Sequence, residues 1–389
     1  MKIGIDARTI LNPEKGEAIG VGHYTYQLIR HLLKVDTKNE YVLFFDFRVR
    51  EKDIEKFKQR NVKIKFYPFS DYKKYLPGAY NEILGSATLA KEDLDIIHTT
   101  SPLSRIPVSY QGKVILTVSD LGAYQVPDVF PKIKRAKIKT LTSLMTDKAK
   151  KIVAVSDSTK EGLKRYLKCP EEKIEVIRSG FDNRFLDGSR ISREKVLEKY
   201  AVKDKYILFL GTLDPVKNIV RLLEAFKLFR EKIKGEGIGD DYKLILAGKR
   251  GWLSEEYRQI AKDLELDKSV KFIGYVVGDD LVPLFREAEF FVMPSLYEGF
   301  GTTVLEALAS GTPAIISNVS SLPEVAGDAA IYINPMDTEG LANEMFRLSK
   351  DDSLKYSLRE KGREQAKKFN WEKCARETLE IYKKVFEEK

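Results

Sequence analysis

FVMPSLYEGFGTTVLEALASGTP, residues 291–313, decides the reading of this chain. It continues an apolar run, Phe290 to Met293, that reads as the buried end of a strand; Pro294 and Ser295 stop it. Glu298, Gly299, Phe300 and Gly301 form a glycine-bearing turn. Thr302 and Thr303 are good helix starters, and a Leu- and Ala-rich helix, Val304 to Ser310, runs up to Gly311. Strand, glycine loop and helix N-terminus together aim backbone N–H groups and the positive end of a helix at an anion. Such loops also serve simply to pack a helix close to a sheet. The flanking carboxylates, Glu298 and Glu306, separate the two readings. A negative group beside a phosphate is repulsive unless it has another partner, and sugar hydroxyls donate hydrogen bonds to carboxylates. A phosphate cradle with a carboxylate on either side points to a nucleotide sugar.

Outward from this stretch the same unit recurs. The strand Tyr206 to Leu210 runs into Gly211-Thr212-Leu213-Asp214-Pro215-Val216-Lys217-Asn218 and then a helix, Val220 to Phe229. Strands at 244–247, 270–273, 314–316 and 331–333 complete a second sheet. In the first half, the strand Lys2 to Ile5, a loop from Leu11 to Ala18 and Gly20-Val21-Gly22 precede a helix with Tyr24, Leu28, Ile29, Leu32 and Leu33 at helical spacing. Strands at 41–45, 62–66, 95–98, 114–118 and 152–155 come next, with a charged helix from Glu51, a long one at 132–149 and another at 158–166. His98 and Ser119-Asp120 stand at strand ends. Strands alternating with helices argue for parallel α/β sheets. The polar segment 182–204 marks a boundary, giving domains 1–185 and 186–370, followed by one amphipathic helix at 371–389. Two Rossmann-like domains facing across a cleft would bring every motif above to the carboxyl ends of their strands, where open α/β sheets bind ligands.

The bulk numbers agree with this. The 389 residues are enough for two domains. No apolar run approaches the roughly 20 residues that span a bilayer, and MKIGIDART reads as a strand rather than a signal peptide, so the cytoplasm is expected. Cys169 and Cys374 stand far apart, and His23, His31 and His98 leave little for a metal centre; no metal is expected. The acidic pairs Asp240-Asp241, Asp279-Asp280 and Asp351-Asp352 read as solvated loops. The net charge of +9 is uneven: residues 1–185 carry 34 Lys and Arg against 23 Asp and Glu, the remainder 33 against 35. Lys132, Lys134, Arg135, Lys137 and Lys139 share a helix with Ile133, Ile138 and Leu141. That helix reads either as a solvated face or as a surface drawn to anionic lipid headgroups or an anionic acceptor at the inner membrane face. No basic motif interleaved with aromatics points to nucleic acid.

At these residues the chain resembles the retaining glycosyltransferases of family 4, which have the GT-B fold; the resemblance implies that the C-terminal helix 371–389 returns to the first domain. The likeness runs from MKIGIDAR through GTLDPVKN, the GYV at 274–276 and the 294–313 stretch to SSLPEVAGDAA at 320–330; PSLYEGFGTTVLEALASGTP looks like the family's Glu-x7-Glu element. The resemblance implies that Glu306 holds the donor ribose and Glu298 meets the donor sugar. The N–H groups of Gly301, Thr302 and Thr303, in the loop begun by Gly299 and Phe300, would meet sugar and diphosphate. Lys217, beside Gly211 and Thr212, would pair with the diphosphate, and Gly20 and Gly22 would let the first domain's backbone approach it. Tyr275 and Val276 would border the base.

Two positions depart from the family pattern. Many relatives carry an Arg where Thr212 or Val216 stands, so Lys249 and Arg250 become candidates for the missing cation. Relatives often carry His where TVSDLG has Ser119, the residue that would touch the donor sugar; His98 on the neighbouring strand end is the candidate to compensate. The expected activity is transfer of a sugar, mannose from GDP-mannose before other nucleotide sugars, to a glycan or lipid-linked acceptor hydroxyl. Front-side displacement with retention is expected, without a cofactor. A sugar-nucleotide epimerase of the same fold, or a sugar-nucleotide binder without turnover, are the rival expectations.

Overall fold

The computed structural model describes residues 1–10, 20–46, 49, 54–67, 81–188, 191–202, 204–237, 242–249, 251, 253–276 and 278–388. They divide into two units, Met1–Gly180 with Asn370–Lys389, and Phe181–Phe369. The first is built on β1 (Lys2–Asp6), β2 (Glu40–Asp46), β3 (Val62–Tyr67), β4 (Ile96–Thr99), β5 (Lys113–Val118), β6 (Lys151–Ala154) and β7 (Ile174–Val176). The second is built on β8 (Tyr206–Leu210), β9 (Lys243–Ala247), β10 (Val270–Gly274), β11 (Phe290–Met293), β12 (Ala314–Ser317) and β13 (Ile331–Ile333). Every pairing is parallel. Parallel strands covered by helices are buried on both faces, which is why β8 reads YILFL and β11 FFVM instead of alternating.

The orders are β3-β2-β1-β4-β5-β6-β7 and β10-β9-β8-β11-β12-β13. Each sheet starts in its middle and grows first one way, then the other. The strand order therefore reverses between β1 and β4 and between β8 and β11, where connections depart to opposite faces and leave a crevice at the carboxyl ends. Asp6 lies beside Thr99 at the first such point, and Phe291 beside Leu208 near the second. The stretch 291–313 thus leaves its sheet at a switch point.

Four helices bear on the site and its support: α1 (Val21–Val35), α2 (Lys132–Lys148), α3 (Thr302–Ala309) and α4 (Trp371–Glu387). Helix α3 starts two residues before its apolar spacing implied, because Gly301 occupies the N-cap in a left-handed conformation, φ +99°. In α4 Asn370 caps the N-terminus through Oδ1, and Trp371, Cys374, Ala375, Thr378, Ile381, Tyr382 and Val385 form the buried face. That face belongs to the first unit, where Trp371 meets Tyr24 with ring centroids 5.6 Å apart. Fully burying a side chain such as Ile381 or Val385 contributes about 1.5–3 kcal/mol, so α4 is an integral layer of that unit.

The unit boundary lies earlier than the composition shift implied. Residues 181–185 belong with the second unit, since Phe185 is fully buried with its ring 6.0 Å from that of Phe285. Of the charged helix expected from Glu51, residues 51–53 lie outside the described residues; Ile54 is helical, and a single turn, Glu55–Phe57, follows it. The loop expected at 11–18 lies outside them too. Asp280 is buried rather than solvated, held by Lys199 Nζ at 2.5 Å and the Tyr200 hydroxyl at 2.8 Å. Asp351 caps a helix by accepting from the Leu354 N–H. Asp240 and Asp241 lie outside the described residues.

Candidate active-site residues

In the second unit two strand-end loops converge at the switch point. After β8 the chain passes Gly211 and a half-buried Thr212 into a single turn, Pro215–Lys217. This loop lies hard against the one after β9: Leu213 N–H donates to the Lys249 carbonyl at 3.0 Å, and a Cβ on Gly248, φ +140°, would fall 1.8 Å from the Gly211 oxygen. Only glycine allows that approach. Asn218, itself left-handed, ends the turn and donates through Nδ2 to the carbonyls of Pro294 and Pro335, at 3.0 and 2.7 Å. Leu296 N–H bonds the Val216 carbonyl at 2.8 Å. The lysine turn is thereby fixed to the loop after β11.

The consequence is an ion pair. Lys217 Nζ lies 2.5 Å from Glu298 Oε1, with side chains only 18% and 12% exposed. The Ser295 hydroxyl donates to the same oxygen at 2.7 Å. The pair is shielded enough for its electrostatics to outweigh those of a surface salt bridge. Glu306 lies further on, in α3, buried at 8% exposure. Between the two carboxylates, Gly301 begins α3 without a side-chain cap among the described residues, and a Cβ there would meet Leu322 at 2.8 Å. The first N–H groups of a helix have no partner within it, so the turn at Gly301, Thr302 and Thr303 has the geometry to accept negative charge. Asp214 completes the cluster. Burial raises its carboxyl above the usual carboxylate range, Lys217 works against that and Glu298 adds to it. Its Oδ1 is buried with no hydrogen-bond partner among the described residues.

The other expected positions of this unit are less uniform. Tyr275 is half-buried, with Lys249 Nζ 5.9 Å from its ring centroid. Val276 is buried at 2% exposure, so its side chain faces the core. Phe300, at 6%, packs its ring 5.8 Å from that of Phe369 and leaves only its backbone to the loop. Arg250 lies outside the described residues. No group of acidic, His or Cys side chains among the described residues could hold a metal ion.

In the first unit Gly20 is exposed at the N-cap of α1, φ +56° and ψ −123°, and Gly22 is buried in the first turn. Ser119 is half-buried just past β5, and the neighbouring Asp120 accepts from Gly122 N–H at 2.6 Å. Asp6 and Arg8 form a closed pair, with Arg8 also donating to the carbonyls of Ser104 and Arg105. The expectation for His98 needs correcting. It is fully buried, its Nδ1 is 2.7 Å from the Tyr382 hydroxyl and its Nε2 2.8 Å from Thr117 Oγ1. Burial lowers its pKa from 6.5 to about 3. Both ring nitrogens are engaged inside the unit, so His98 fastens α4 to the sheet and reaches no sugar.

Residues outside the sequence-based set also shape the site: Ser295, Asn218, Asp214, and the pair Ser320 and Ser321. Ser295 stands three positions before Glu298, and its hydroxyl reaches that carboxylate directly. The serine pair stands directly before LPEVAG, a string read only for its likeness.

Two Rossmann-like units and a shielded Lys–Glu pair at the second switch point define a group-transfer enzyme of the GT-B fold. Residues 19–185 match the model of "Glycosyltransferase Family 4" and residues 192–369 that of "Glycosyl transferases group 1". The chain is 33% identical to O-antigen chain mannosyltransferase B of Escherichia coli over 70% of each chain. It is 29% identical to the serotype-specific mannosyltransferase WbdA of E. coli, spanning 29% of that protein's length. Among solved structures it superposes on a sucrose-phosphate synthase from Thermosynechococcus elongatus with TM-score 0.77, at 21% identity and 99% of both chains. The chain belongs to this glycosyltransferase family and is a glycosyltransferase.

Proposed function

We propose that the protein transfers mannose from GDP-mannose to a hydroxyl of a glycan or lipid-linked glycan precursor, with retention at the anomeric carbon. The observation that carries this reading is the Lys217–Glu298 pair at the switch point, with Glu306 on the next helix. The mannosyl choice is supported by the mannosyltransferases among the relatives. Nucleotide-sugar use is supported by an Anabaena structural relative, Alr3699/HepE, solved with UDP-glucose (TM-score 0.74, 16% identity, 98–100% of each chain in its complexes).

On this reading the donor diphosphate lies against Lys217 and the amides of Gly301–Thr303. Its ribose hydroxyls reach Glu306, and the mannosyl hydroxyls reach Glu298. As the bond to the anomeric carbon breaks, charge grows on the departing phosphate, and donors already in place there lower the barrier. The leaving phosphate oxygen takes the acceptor's proton on the same face, giving front-side displacement. The base lies along Tyr275 and Lys249. The acceptor is assigned to the first unit, with Ser119 at its edge. That unit carries the basic excess, and in α2 Ile133 stands 87% exposed beside Lys132 and Lys134, which supports contact with an anionic membrane surface.

A thermal-shift panel of nucleotide sugars, together with anomeric analysis of the transfer product, tests this. GDP and GDP-mannose are expected to stabilise the protein most, and the product to keep the donor's configuration. Stabilisation by no nucleotide sugar overturns the site assignment. An epimerised donor without acceptor, or binding without turnover across an acceptor panel, overturns the transfer.

A further inference from the structure

Glu298 is the residue on which the proposed chemistry turns; Lys217 and Ser295 hold its carboxylate, while its backbone is held from outside the loop. The loop 298–301 carries peptide groups that neither a helix nor a sheet satisfies. Three of them are met by two consecutive serines after β12. Ser320 Oγ accepts from the Glu298 N–H at 2.9 Å. The Ser321 hydroxyl donates to the Glu298 carbonyl at 3.0 Å and to the Phe300 carbonyl at 2.8 Å. Leu322 packs beneath Gly301, where a Cβ would come within 2.8 Å.

Two further observations make this more than packing. Ser320 holds φ +50°, a left-handed conformation that costs a non-glycine residue energy and persists where surroundings enforce it. Ser321 is completely buried and is at the same time the N-cap of the short helix Leu322–Ala326. The loop is therefore tied to the first residues of a packed element instead of to a free segment. Its geometry sets both the Glu298 carboxylate against Lys217 and the start of α3.

We infer that Ser320 and Ser321 are positioning residues for sugar transfer: they clamp the Glu298–Gly301 loop so that the carboxylate and the amides of α3 meet the donor in fixed register. The kinetic part of this inference rests on the sugar-transfer reading above. Small displacements of a positioned group far outweigh their structural cost, with about 10²-fold lost for a shift near 1 Å.

The test uses the full chain and separates the clamp from stability. Ser320→Gly removes the hydroxyl and relieves the left-handed strain, so its melting temperature is expected to hold or rise. In donor-free protein its Glu298 amide is expected to exchange with solvent about tenfold faster. Its kcat/KM for donor is expected to fall about tenfold or more. Ser320→Asn, which tolerates the same backbone and offers an acceptor oxygen, is expected to recover protection and most of the rate. Ser321→Thr is expected to retain what Ser321→Ala loses. Unchanged Glu298 exchange in Ser320→Gly overturns the clamp, as does a kcat/KM within twofold of the parent. A parent protein that turns over no nucleotide sugar overturns the transfer reading instead, and the exchange arm then decides the clamp alone.

Discussion

At the end of β4 the first unit turns its strand-end histidine inward, onto Tyr382 and Thr117. At the end of β11 the second unit does the reverse, meeting the glutamate of its loop with a lysine from the neighbouring strand end. The strand orders are equivalent, so the difference lies in the loop that leaves each strand. The second unit holds a shielded ion pair, a buried carboxylate at Asp214 with one oxygen unpartnered among the described residues, and a loop tied by serines. At the first unit's switch point Asp6 and Arg8 form a closed pair among backbone carbonyls, and at the neighbouring strand end Ser119 stands half-buried. Among the described residues one edge holds a Lys–Glu pair beside a buried carboxylate, and the other the Asp6–Arg8 pair, Asp120 and the Ser119 hydroxyl. Preorganised charge is what stabilises a leaving diphosphate.

The comparison breaks most directly at Lys217. Lys217→Ala is expected to lower kcat/KM by about 10³-fold, near the upper end for one donor lost from a transition-state anion site. It also leaves Glu298 shielded without its cation, so a drop in melting temperature accompanies it. The two carboxylates separate next: Glu306→Ala is expected to weaken nucleoside-diphosphate binding about tenfold, while Glu298→Gln lowers turnover with binding nearly kept. Calorimetric titration alongside steady-state kinetics checks both. Equal loss of binding in the two variants contradicts the division of roles.

The opposite pattern is expected at His98. His98→Ala removes the partner of the Tyr382 hydroxyl and one partner of Thr117 Oγ1, at about 1–3 kcal/mol for each. Stability is expected to fall by about 3 kcal/mol on that basis, with nucleotide affinity of the folded protein unchanged. The pH dependence has a definite sign. The folded pKa, about 3, lies below the ordinary 6.5, so the stability His98 supplies is complete above pH 6.5 and is lost as pH falls toward 3. The slope is at most about 1.4 kcal/mol per pH unit for one proton. Denaturant unfolding between pH 7 and 4 checks it, and His98→Ala is expected to flatten the slope. A variant that folds normally but loses donor turnover returns His98 to the reaction.

The sheets were legible because strands buried on both faces are written as apolar runs, as in YILFL and FFVM. The glycine loop was legible because strand, turn and helix succeed one another directly. Long-range pairing was not. His98 stands at a strand end like a site residue, and only its partner 284 positions later makes it structural. Lys217 and Glu298 were each assigned to the donor, but their mutual pairing spans 81 positions and depends on Asn218 tying two loops together. Ser320 and Ser321 reach back 22 and 23 positions through hydroxyls that obey no periodicity. Helix spacing placed the start of α3 late because apolar residues do not report a left-handed glycine cap.

The smallest effect tests the comparison most finely. Asp214 is raised chiefly by burial, so folding holds its proton more tightly than the unfolded chain does. A raised acid contributes stability only below its unfolded pKa and loses it as pH rises through the folded value. At neutral pH the buried carboxylate is therefore a net cost, set partly against Lys217. Asp214→Asn keeps the shape and removes the charge. It is expected to raise stability at pH 7, because a neutral amide costs less to bury than a carboxylate. The gain is expected to shrink as pH falls toward the carboxylate range. Thermal unfolding across that range checks the sign. If Asp214→Asn instead destabilises the protein at neutral pH, the carboxylate is a counter-charge that the lysine turn requires. The pre-charged edge is then a triad of Asp214, Lys217 and Glu298 rather than a pair.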